Sequence, residues 1–87
     1  MCAGTIEIAA MAGSAKGANG WFHLAQAQVV SDHPYHAQMD EALIIDFTNP
    51  ERGASARVSV ELSAESARAL IKAIEAALSD GELRHGH

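Results

Sequence analysis

The hydrophobic period of this chain changes at Ser63, and that change limits the fold more than any other feature. Before it, residues 56–62 (Ala-Arg-Val-Ser-Val-Glu-Leu) alternate. This puts Val58, Val60 and Leu62 on the core side of a strand and Arg57, Ser59 and Glu61 on the outer side. After it, Ala67, Leu70, Ile71, Ile74 and Leu78 recur at helical spacing on one face. Ser63 is a natural N-cap, and Glu65 sits in the first turn, where the helix dipole favours an acid. Ser79-Asp80-Gly81 ends the helix, with Gly81 suited to a C-terminal cap. The stripe from Leu70 to Leu78 is expected to be core rather than a binding groove.

Upstream, residues 42–48 (Ala-Leu-Ile-Ile-Asp-Phe-Thr) are rich in β-favouring side chains and predict a strand. Asn49-Pro50-Glu51-Arg52-Gly53 predicts a turn, because proline presets its backbone and Gly53 accepts a positive φ. Residues 5–11 alternate weakly and read as a first strand, and residues 13–20 as a turn-rich connection. Residues 21–30 tolerate a helix through 24–30, but a strand is preferred, since a helix leaves the first strand without a hairpin partner.

The fold expected is α+β: a four-stranded antiparallel meander followed by one C-terminal helix packed on one face. Residues 1–81 form a single domain and residues 82–87 a flexible tail. The helix covers only one sheet face. The other carries Glu7, Arg57, Ser59 and Glu61 together with Ile44 or Ile45, neither fully wet nor fully dry. Self-association through that open face or an edge strand is therefore expected, giving a homo-oligomer.

Size and charge exclude several classes. A chain of 87 residues has room for one domain, and a domain this short often needs a metal, a disulfide or a partner subunit. Its one cysteine, Cys2, rules out an internal disulfide. Residues 1–12 lack the basic start and apolar run of a secretion signal, and no stretch is long enough to span a membrane. A reducing, cytoplasmic location is the expectation. Eleven acids against six scattered bases give a net charge of −5, which argues against nucleic acid as a partner.

The densest set of potential metal ligands is Asp32-His33-Pro34-Tyr35-His36, followed by Asp40-Glu41. Pro34 biases His33 towards extended backbone, so the two imidazoles belong to a loop rather than a helix face. A turn that points both inward suits zinc, with His33, His36 and Glu41 as ligands and a fourth position for water. Asp32 or Asp40 would orient an imidazole. Bound water at such a site has a pKa near about 7, suited to hydrolysis of an activated ester or phosphoester, and Tyr35 would steady the oxyanion. The plainer alternative is that His33 and His36 are solvated loop residues, since His-x-x-His is far less specific than paired Cys-x-x-Cys. Cys2 is either a further ligand or thiol nucleophile, or a small apolar residue at the start of the first strand. His23 reads as a half-buried sheet residue, with a place beside the loop site as its alternative. His85 and His87 read as tail.

Several segments carry a resemblance. These are Met1-Cys2, Gly13-Ser14-Ala15-Lys16-Gly17 with Gly20-Trp21-Phe22, Asp32-His33-Pro34-Tyr35-His36, and Ile45-Asp46-Phe47-Thr48-Asn49-Pro50. Together with residues 54–78 they are similar to a small actinobacterial family described only as a domain of unknown function. The resemblance implies that Cys2, His33, His36, Asp46 and Asn49 belong to a shared pattern. It also implies a third histidine in relatives where this chain has Glu41, a swap compatible with a metal. It implies no particular reaction.

Two functions of different class follow as expectations. One is a small divalent-metal protein, with zinc the expected ion, hydrolysing a small-molecule substrate. The other is a non-catalytic self-associating or partner-binding domain whose open sheet face is its working surface.

Overall fold

The computed structural model describes residues 5–33 and 40–85. Four strands precede one helix: β1 (Glu7–Gly17), β2 (Gly20–Asp32), β3 (Ala42–Thr48), β4 (Arg57–Leu62) and α1 (Ala64–His85). The strands form one antiparallel sheet in the order β1-β2-β3-β4, and α1 packs on it, as the sequence predicts.

Two boundaries differ from expectation. The glycine-rich stretch expected to be a loop is strand as far as Gly17, and the turn is only Ala18-Asn19, with Gly20 at a φ of 107°. Its glycines and alanines are tolerated because β1 shifts register between Ala10 and Gly13, a bulge that takes up one extra residue. Among the described residues, Gly17 is also the one glycine pressed by backbone. A Cβ there would lie 3.0 Å from the Ser55 carbonyl oxygen and 3.1 Å from the Phe22 ring, where β1 curls back against β4. At the other end, α1 runs through Gly81 to His85 rather than capping there.

The predicted turn after β3 holds. Pro50–Arg52 form one turn of 3-10 helix, and Gly53 takes a φ of 90°. Asn49 caps it by accepting from the Glu51 amide at 3.1 Å, while its own amide donates to the His23 carbonyl at 2.9 Å. That second bond ties the turn to β2. Ser63 is the N-cap as expected: its Oγ accepts from the Ser66 amide at 3.1 Å.

Register settles the faces. Gln28, Asp46 and Ser59 lie abreast on one face, with Val30, Ile44 and Glu61 beside them. Val29, Ile45 and Val60 lie abreast on the other, flanked by Ala27, Phe47 and Val58. Glu7 pairs with Val29 and so shares this second face, not the Arg57 face as expected. α1 starts on the second face, where Ala67 is buried and, with Ile71, lines a groove beside Leu43.

Beyond that first contact the expectation fails. Leu70, Ile71, Ile74 and Leu78 are 43–60% exposed, so the stripe is not core within one chain. Among the described residues the only large side chains that are buried are Phe22 and Ile44; the other buried hydrophobic residues are alanines. Helical periodicity shows that a face is apolar. It does not show which surface covers it.

Candidate functional site

Three surfaces could carry function, and each is built by a different part of the chain. The first is the pair of chain ends that flank residues 34–39. β2 delivers Ser31 and Asp32, and β3 begins just after Asp40 and Glu41. Asp32 Oδ1 accepts from the His33 amide at 2.7 Å. His33 Nδ1 lies 2.8 Å from the Asp40 carbonyl oxygen. A carbonyl can only accept, so Nδ1 carries the proton and a neutral ring keeps its lone pair on Nε2. Ser31 Oγ donates to Glu41 Oε2 at 3.1 Å. The imidazole is thus oriented by the backbone of Asp40, whereas the sequence suggested a carboxylate for that task.

Cys2, Tyr35 and His36 lie outside the described residues. Among the described residues, no three His, Cys, Asp or Glu side chains are grouped to hold a metal. His23 is exposed, and what engages it is its main-chain carbonyl, held by Asn49.

The second surface is a polar groove of about 750 Å³ on the face opposite α1, with Val30 and Ile44 among its apolar lining and Asp32, Asp46, Arg57 and Glu61 among its charged residues. Asp46 is its centre. Arg57 donates to Asp46 Oδ1 from Nε at 3.1 Å and from Nη2 at 3.0 Å, and Ser59 Oγ donates to the same oxygen. Arg57 Nε also lies 3.1 Å from Ser59 Oγ. The Arg57 side chain is 58% exposed and Asp46 19%. An ion pair this wet contributes at most about 1 kcal/mol. Beside it, Thr48 Oγ1 is buried with no hydrogen-bond partner. The alternation of 56–62 places Arg57 and Ser59 outward but does not show that both converge on Asp46. The available signal was an acid between Ile45 and Phe47, in a strand otherwise made of apolar and β-branched residues.

The third surface is apolar and lies in two pieces. One is the exposed stripe of α1. The other is the sheet face beyond the first turns of the helix, where Val29, Ile45, Phe47, Val58 and Val60 are all only half-buried. Trp21 belongs to the same face by the alternation of β2 and is 70% exposed. Exposed aromatic and aliphatic groups of this extent are uncommon on the surface of a single folded chain.

No helix among the described residues is long and apolar enough to cross a membrane. A family model described as a family of unknown function, DUF6295, matches residues 1–86, and the chain belongs to that family. No curated protein matches the chain, and no solved structure matches it.

Proposed function

We propose that this member of the DUF6295 family is a self-associating domain whose folded unit is a pair of chains. The observation that carries this reading is the exposed stripe of Leu70, Ile71, Ile74 and Leu78 on a helix that is otherwise well formed and capped. The whole molecule supports it. One chain exposes 6567 Å², whereas a compact monomer of 9.1 kDa exposes about 4,900 Å². Its radius of gyration is 14.7 Å, against about 12 Å for a compact domain of this length. Half of the excess surface would already equal the ~800 Å² that each partner loses in an ordinary stable interface. A core of alanines with two larger residues is too small to offset chain entropy alone, and a second copy supplies the missing burial.

Sedimentation equilibrium at micromolar concentration tests this. The expected species is a dimer for the wild-type chain. Leu78→Asp, at a position exposed in the single chain, should weaken association at least 100-fold, so that the helix signal by circular dichroism is lost at concentrations where the wild-type dimer keeps it. A wild-type chain that sediments as a folded monomer overturns the reading.

A second reading rests on His33. Its Nδ1 is engaged by a backbone carbonyl, the arrangement that presents Nε2 to an ion. His33, His36 and Glu41, with Cys2 as a further donor, would then hold a divalent metal such as zinc for ester or phosphoester hydrolysis, with Asp32, Asp40 and Tyr35 around it. Its test is metal analysis of untagged protein in which His85 and His87 are replaced by Gln. About one zinc per chain, lost in His33→Ala, supports it; sub-stoichiometric metal in both proteins removes it.

A further inference from the structure

The apolar helix stripe and the apolar sheet face belong to the same chain, yet they do not cover each other. α1 meets β3 and β4 near its start, and from Leu70 onward its apolar side chains are exposed. The sheet face it leaves behind holds Phe47, Val58 and Val60 half-buried and Trp21 exposed. Two uncovered surfaces of like character therefore exist per chain, four per pair. A contact between helices alone would leave both sheet faces wet. A contact between sheet faces alone would leave both helices bare.

We infer that the pair forms by reciprocal exchange, with α1 of each chain laid across the Phe47-Val58-Val60 face of the other. This rests on the self-association reading and states its geometry. One twofold axis makes the same helix-on-sheet contact twice and covers all four surfaces. The dimensions fit. The part of α1 beyond Ala67 spans about 27 Å at 1.5 Å per residue, and four strands span about 15–20 Å, so a partner helix is long enough to cross the sheet. The composition fits as well. Apolar groups occupy the middle of the face, and Glu7, Lys16, His23 and Ser31 stand on the same face towards its margins, the pattern of a dry centre with a polar rim. Trp21, large and exposed at one side, has the character of an anchor residue. The polar groove around Asp46 is on the opposite face, so it stays open in both chains of the pair.

Isotope-filtered NOE spectroscopy on a mixed sample of labelled and unlabelled wild-type chains tests the geometry without any substitution. The expected result is intermolecular NOEs from methyls of Ile71, Ile74 and Leu78 to ring protons of Phe47 or Trp21. A dimer whose filtered NOEs join helix to helix, or that shows none from helix to sheet, overturns the exchange and leaves self-association standing. A monomer by sedimentation overturns both.

Discussion

On one face of the sheet, Arg57 and Ser59 both donate to Asp46, so the charged centre of that face is paired inside a single chain. On the other, Trp21 stands in solvent and the helix above bares its aliphatic stripe. The Asp46 cluster is complete in the monomer; the apolar face is not. Hydrogen bonds are short-ranged, and two neighbouring strands, β3 and β4, suffice to close the ones at Asp46. Burial needs a second layer, and this chain has one helix that reaches only part of its own sheet.

The strongest way to break the contrast is dilution. If the apolar face is completed by a second copy, the melting temperature should fall by roughly 5–8 °C between about 100 µM and 1 µM, because folding and association are one equilibrium. Scanning calorimetry that gives the same midpoint at both concentrations would sink it.

Next comes the place where the sheet curls on itself. Gly17→Ala sets a methyl 3.0 Å from the Ser55 carbonyl oxygen. Overpacking against backbone costs about 1–3 kcal/mol, and the lost freedom of the unfolded chain returns only about 0.4–1. A net destabilisation of about 1 kcal/mol is expected in urea denaturation, and a gain in stability would show that β1 does not press on β4. A smaller effect of opposite sign is expected from Thr48→Val. It removes a buried hydroxyl that has no partner and should stabilise by up to about 1 kcal/mol. Smallest is the ion pair. A double-mutant cycle with Asp46→Ala and Arg57→Ala should give a coupling of about 0.5 kcal/mol, since Arg57 is largely solvated. A coupling several times larger would mean that the groove is drier than its geometry implies.

Much of this architecture is legible in the residues. The clean alternation of 56–62, the Ser63 cap and the Pro50-Gly53 turn are each recovered, because each is a local preference that no distant contact opposes. The Gly13-Gly20 segment misleads, since its glycines permit a loop but a neighbouring strand holds them extended. Gly81 misleads in the same way: helix propensity on both sides carries the backbone through it. Of the loop candidates, His33 meets the Asp40 backbone and Glu41 meets Ser31 where β2 ends and β3 begins, but among the described residues no three His, Cys, Asp or Glu side chains are grouped to hold a metal. The Asp46 centre was not legible as a site because it needs register. Its two partners lie 11 and 13 residues away, and only the pairing of β3 with β4 sets them beside it.

The amino-acid order alone determined the elements, their antiparallel succession and which side of each is apolar, because these follow from side-chain period and backbone preference within a few residues. Tertiary structure decided where those apolar sides point. Whether α1 lies along its own sheet or leaves it after Ala67 depends on the angle at which the chain departs β4. That angle is set by packing across the whole molecule, and a periodic pattern carries no record of it.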